Sequence, residues 1–100
     1  MTASDLLALI SAGAPPKVLD VRSPREFTRG HVPGALNIPF WKLLSGPPTL
    51  LSPDDRLVVY CGHGPRAWLA GAALQRRGFR RVEYLEGHMS RWRRAGLRRE

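Results

Sequence analysis

The chain has 100 residues, 43% of them in the AVILMFWYC set and 24% charged, which is enough for one core and excludes intrinsic disorder or a second domain of useful size. Size scaling gives roughly 5,700 Å² of folded surface against roughly 16,000 Å² unfolded. Sixteen Lys+Arg against eight Asp+Glu give +8, no apolar run approaches the ~20 residues of a membrane span, and the single cysteine, Cys61, excludes an internal disulfide or a multi-thiolate metal site. The start, MTASDLLALISAG, has no basic residue ahead of its short apolar stretch and carries Asp5 within it, so it fails as a secretory signal and a cytoplasmic location is expected.

Along the chain, Ser4 or Thr2 can cap a first helix whose Leu6, Leu7, Leu9 and Ile10 form one stripe, ending at Gly13 before Pro15 and Pro16. Val18 to Val21 reads as a buried strand, followed by turn residues Ser23 and Pro24 and a short helix around Arg25 to Arg29. Ala35 to Ile38 is a short extended piece, Phe40 to Leu44 a helical turn, and Gly46 to Pro53 a proline-rich surface loop. Leu57 to Tyr60 is consecutively apolar, the pattern of a strand covered on both faces in a parallel sheet. After Gly62 to Pro65, the segment Arg66 to Arg77 places Leu69, Ala70, Ala73 and Leu74 at helical spacing, closed by Gly78. Val82 to Leu85 is a further strand, and Met89 to Ala95 a last helix with Met89 and Trp92 on one side. Alternating short strands and helices predict one α/β domain over residues 1–100, a mainly parallel central sheet with helices on both faces.

Ligands of such sheets bind beyond the carboxyl ends of the strands, where helix N-termini point free N–H groups outward. Cys61 stands at that place. Gly62 and Gly64 in CGHGPRA let successive N–H groups turn toward the sulfur. That cradle, the dipole of the next helix and Arg66 favour thiolate, the attacking form. Pro65, lacking an N–H, leaves one donor fewer. A lone cysteine at a strand end is more often a small buried hydrophobe; two glycines and an arginine between strand and helix outweigh that reading.

Three segments, LDVRSPREFTRGHVPGALNIP (19–39), VVYCGHGPRA (58–67) and VEYLEGHMSRWRRAG (82–96), together resemble the single-domain rhodaneses, a family of sulfurtransferases. The resemblance implies the rhodanese fold, a Cys61 persulfide intermediate, and a six-residue active loop from Cys61 to Arg66. Related phosphatases and arsenate reductases have a loop one residue longer, so the anion-ester hydrolase reading is disfavoured. The chain departs from the family at His88, where a second Gly commonly follows Gly87, and at Ala67, where Ser or Thr is frequent. The family's short N-terminal strand is expected to be absent or minimal.

By this resemblance Cys61 and Arg66 are catalytic. The backbone N–H groups of Gly62, His63, Gly64, Arg66 and Ala67 hold the persulfide anion, and neither metal nor cofactor takes part. The donor is thiosulfate or a similar sulfane anion, and the acceptor cyanide or a protein thiol. The alternative is a non-catalytic or regulatory module that binds a partner through the same pocket and the basic C-terminal quarter. That quarter, with nine Arg and three Glu from Arg76 onward, is read as a solvated face in preference to a docking surface, with no nucleic acid or membrane partner expected. Asp20 should be held by backbone N–H groups of the neighbouring loops, and Arg22 should pair with Glu26 across a helix start. His31 should fasten its turn to the backbone through a ring N–H. His63 lines the pocket mouth or faces solvent, Trp41 and Trp68 are rim candidates, and Trp92 belongs to the core.

Overall fold

The computed structural model describes residues 1–46 and 48–100; Pro47, in the expected proline-rich loop, lies outside the described residues. In chain order the elements are α1 (Ala3–Ser11), β1 (Lys17–Asp20), α2 (Pro24–Thr28), β2 (Leu36–Asn37), α3 (Phe40–Ser45), β3 (Arg56–Tyr60), α4 (Pro65–Arg76), β4 (Arg81–Tyr84) and α5 (His88–Arg94). Every expected element is present, with ends displaced by a residue or two. The cap of α1 is Thr2, whose hydroxyl accepts the Asp5 N–H at 3.0 Å. Ser4, the other candidate, lies inside the helix. Helix α4 starts one residue early because the fixed φ of Pro65 suits its first position.

All four strands are parallel, in the order β2-β1-β3-β4. Leu19 pairs with both Leu36 and Val59, and Val58 pairs with Glu83. The chain therefore winds outward from β1 in one direction and from β3 in the other. The crevice between the carboxyl ends of β1 and β3 is the topological switch point, where open sheets bind their ligands.

Side chains alternate across the sheet, and both faces are covered. Leu19, Val21, Leu57, Val59 and Cys61 pack under α3 and α4 with Leu43, Ala67, Ala70 and Leu74. Val18, Val58 and Tyr60 pack on the opposite side with Leu6 of α1 and Met89 and Trp92 of α5. Consecutive apolar residues in β3 are thus two alternating cores read as one run. Close approach of α4 to β4 depends on Gly71, where an added Cβ would run into the Tyr84 ring and hydroxyl. Accessible surface is 5661 Å², near the value expected from size. Met1 flanks β4, its nitrogen donating to the Tyr84 carbonyl and its own carbonyl accepting the Glu86 N–H, each at 2.9 Å. Among the described residues no helix is long and apolar enough to cross a membrane.

Candidate active site

Cys61 is the first residue past β3, at the switch point, and the chain turns back over its sulfur before α4 begins. The Gly64 N–H donates to Cys61 Sγ at 3.0 Å. Gly64 has φ +132°, and a Cβ there would stand 3.3 Å from the Trp68 ring and 3.4 Å from His88 Nε2. Glycine is therefore required both by backbone conformation and by space. The first turn of α5 fixes the other side of the loop: Met89 N–H donates to the Cys61 carbonyl at 3.0 Å, and Ser90 N–H to the Gly62 carbonyl at 3.1 Å. Those carbonyls are thus engaged by α5, while the Gly64 N–H faces the sulfur. Arg66 and Ala67 lie in the first turn of α4, where N–H groups have no partner within the helix.

His88 completes this support. Its Nδ1 accepts the Cys61 N–H at 3.2 Å, and it is the one non-glycine described with positive φ, at +52°. That backbone conformation accounts for the glycine common in the family at this position. Burial, and after it the neighbouring His63, pushes the His88 pKa below the usual histidine value. Because Nδ1 accepts the Cys61 N–H, the ring proton is on Nε2.

Cys61 is wholly buried and packs in the core beneath the loop. Above it opens a cleft of about 210 Å³ lined by Gly62, His63 and Arg66 together with residues of the first motif and of the C-terminal segment. Exposed His63 both lines this mouth and faces solvent. Arg66 lies across the loop, one terminal nitrogen 3.2 Å from where a Gly62 Cβ would be. It forks onto Glu26, with Nη1 donating to Oε1 at 2.7 Å and Nη2 to Oε2 at 3.1 Å. Glu26 also closes a capping box on Ser23 at the start of α2. The Arg66 fork foremost, aided by the Ser23 bonds against partial burial, pushes the Glu26 carboxyl down to about 2. Glu26 in turn raises the Arg66 pKa further, and the nearby Cys61 thiol adds to the effect.

Arg22 does not pair with Glu26. Residues 20 and 22 lie two apart at a strand end and share a face, so Arg22 grips Asp20 through Nε at 3.0 Å and Nη2 at 2.7 Å, and Glu26 is left for Arg66. Asp20 takes a single backbone N–H, that of Arg22, and its remaining bonds come from side chains, including the Tyr60 hydroxyl at 2.7 Å. Burial, then the Asp20 charge, pushes the Tyr60 pKa up, so its hydroxyl stays a donor. His31 behaves as its turn required: Nδ1 donates to the Phe27 carbonyl at 2.8 Å, with the ring stacked on Phe27. Trp92 is buried. Neither Trp41 nor Trp68 lines the cleft: Trp41 packs edge-on against Phe40, and the exposed Trp68 lies against Gly64. Arg93 and Arg99 are exposed, as a solvated face requires, yet they line the cleft. Among the described residues no group of three or more His, Cys, Asp or Glu is gathered for a metal.

Residues 2–95 match the family model described as a rhodanese-like domain. The chain is 37% identical over 83 residues to a sulfurtransferase of Allochromatium vinosum, covering 80% of this chain and 74% of that protein. It is 33% identical over 89 residues to the thiosulfate sulfurtransferase GlpE of Stutzerimonas stutzeri, covering 86% and 76%. Its fold is similar to that of the human single-domain sulfurtransferase TSTD1, with a TM-score of 0.81 at 27% identity over 94% of each chain.

Proposed function

The chain belongs to the rhodanese-like domain family, and on that premise we propose that it is a sulfurtransferase that carries a sulfane sulfur on Cys61, with thiosulfate or a similar anion as donor. The observation that carries this reading is the Cys61 sulfur at the switch point, with the Gly64 N–H aimed at it and the Arg66 fork lying across its loop.

In the first half-reaction the Cys61 thiolate attacks the outer sulfur of thiosulfate. A bond forms between Sγ and that sulfur, the S–S bond of thiosulfate breaks, and its electron pair leaves on sulfite. The terminal sulfur of the persulfide then occupies the cradle, where the N–H groups of Gly62, His63, Gly64, Arg66 and Ala67 face its charge. Glu26 holds the Arg66 fork in place until the oxygens of an anionic donor compete for it. In the second half-reaction cyanide or a thiolate attacks the outer sulfur, and the Cys61 thiolate departs. With no other cysteine in the chain, release depends on an external acceptor.

Intact-mass spectrometry after thiosulfate tests this. One sulfur atom should be gained, removed by cyanide, and absent in Cys61→Ala. A protein that gains no sulfur is a binding module of this fold; a Cys61→Ala protein that still gains it removes Cys61 from the assignment.

A further inference from the structure

We propose that Arg93 and Arg99, together with Arg29, form an anion subsite beside the active loop that selects acceptor thiols carrying a second acidic group, a carboxylate or a phosphate, away from the sulfur. The inference rests on the sulfur-transfer reading and gives it an acceptor class.

Five guanidinium groups line the cleft: Arg22, Arg29, Arg66, Arg93 and Arg99. Two are already matched, Arg22 to Asp20 and Arg66 to Glu26, each at 2.7 Å. Among the described residues the other three have no carboxylate within 4.0 Å. Three unmatched cations thus share the rim of a space of about 210 Å³, room for about seven water-sized groups at ~30 Å³ each. The cradle and the Arg66 fork suffice for a sulfane anion at Cys61. The surplus charge lies toward Gly30 and α5, where a group several atoms from the reacting sulfur would rest.

Arg99 is also held in place. The carbonyl of Arg98 accepts the Trp92 Nε1–H at 2.9 Å, and Glu100 exchanges main-chain hydrogen bonds with His31 at 3.1 and 2.9 Å. The backbone is therefore fastened on both sides of Arg99, whose side chain runs past Gly30, with Cδ 3.5 Å from where a Cβ would be. Arg93 projects from the last turn of α5 into the same cleft. A side chain rooted on a fastened backbone starts from a fixed place on the rim, and the guanidinium fork matches carboxylate and phosphate oxygens alike. Arg99 lies beyond residues 2–95 matched by the family model. In the step it serves, the acceptor thiolate attacks the outer sulfur of the Cys61 persulfide; a new S–S bond forms on the acceptor, the bond to Sγ breaks, and the electron pair returns to Cys61.

The test is single-turnover transfer from protein whose persulfide has first been quantified by mass. The acceptors are 2-mercaptoethanol, 3-mercaptopropionate, mercaptosuccinate and 2-mercaptoethyl phosphate, with rates corrected for thiolate fraction. At low salt, mercaptosuccinate or the phosphate should exceed 2-mercaptoethanol by about tenfold, the gain of two partly exposed charge contacts. Which of the two leads identifies the acidic group. Replacing Arg93 and Arg99 with Gln should abolish that ratio, and replacing both with Lys should restore part of it. A ratio near one in the wild type, or one that survives the Gln replacements, overturns the subsite while leaving sulfur transfer standing. Failure to load any sulfur overturns the transfer reading instead. The subsite is then judged on Cys61→Ala protein titrated with succinate and with inorganic phosphate by NMR. Amide shifts at Gly30, Gly62 and His63 that vanish in the Gln variant sustain it, and their absence ends it.

Discussion

Two carboxylate–guanidinium forks stand at the carboxyl end of the sheet, made of the same two chemical groups and differing chiefly in burial. Asp20 and Arg22 are buried, with side chains 0% and 4% exposed. Asp20 takes further bonds from the Arg22 N–H and the Tyr60 hydroxyl, and Arg22 donates to the Gly30 carbonyl at 2.8 Å. Glu26 and Arg66 are 36% and 31% exposed and meet over the cleft. A buried pair cannot trade partners, because a freed charge would lose its partner without regaining water. The pair in contact with solvent loses little when an incoming anion takes one member. Burial makes the first a structural tie between β1, β3 and the Gly30 turn, and leaves the second available to the reaction.

The largest effect should come from breaking the inner fork. Asp20→Ala strands a buried guanidinium and the Tyr60 hydroxyl, and urea denaturation should show a loss of about 3–5 kcal/mol. A loss below about 1 kcal/mol would mean that burial does not separate the two pairs. Arg66→Ala should invert the result. Stability should change by about 1 kcal/mol or less, while sulfur loading from thiosulfate falls about 100-fold, the scale of removing one donor from an anion hole. Arg66→Lys should recover part of the rate, since a point charge cannot copy the fork. Equal losses of stability in Asp20→Ala and Arg66→Ala would erase the distinction.

The two forks also mark where reading the sequence stops. Cys61, its glycines and Arg66 lie within one strand-loop-helix unit, so their grouping follows from order along the chain. The capping box that Glu26 closes on Ser23 is local, yet the sequence reading assigns Glu26 to Arg22 instead. Nothing local tells that Glu26 also meets an arginine 40 residues away, because that contact depends on how the β1 and β3 crossovers set α2 beside α4. Arg22, by contrast, is drawn to Asp20, a neighbour two residues away on its own face, which a reading by helix-start pattern passes over. Arg93 and Arg99 read as a solvated face, and they are exposed; that they also line the cleft follows only from the fold, which pins the backbone at Glu100 to His31. His88 left a trace as a departure from glycine in the family pattern, but its bond to the Cys61 N–H depends on α5 docking under the loop.

A buried bond without charge should fall between the two forks in cost. His88→Ala leaves the Cys61 N–H without its acceptor and retains the left-handed backbone, so a loss of about 1–3 kcal/mol is expected. His88→Gly removes the same acceptor and relieves the backbone strain, and should be about 1 kcal/mol more stable than the Ala variant. Thermal or urea denaturation of the pair checks the order; an Ala variant as stable as the Gly variant would mean that the φ of +52° carries no strain. Because the folded-state pKa of His88 is lowered from 6.5, the wild type should hold this contribution in full above pH ~6.5 and lose it as the pH falls below that value. Neither variant should show that slope.

The smallest change should come from the outer fork itself, where Glu26→Gln keeps the shape and removes the charge. The Glu26 carboxyl sits at about 2 in the folded protein against 4.5 as its ordinary value. A carboxylate lowered in this way stabilises the fold in full above pH ~4.5, and its contribution is lost as the pH falls through about 2. Since both partners are about one-third exposed, water screens the pair and the loss at neutral pH should be about 1 kcal/mol or less. The sharper readout is the acid limb. Between pH 4.5 and 2 the wild type should lose stability that Glu26→Gln does not, so the two denaturation curves converge as acid is added. Curves that stay parallel throughout that window would mean that Arg66 does not hold Glu26 charged, and the outer fork would then have no claim to be an ion pair that a substrate anion can exchange.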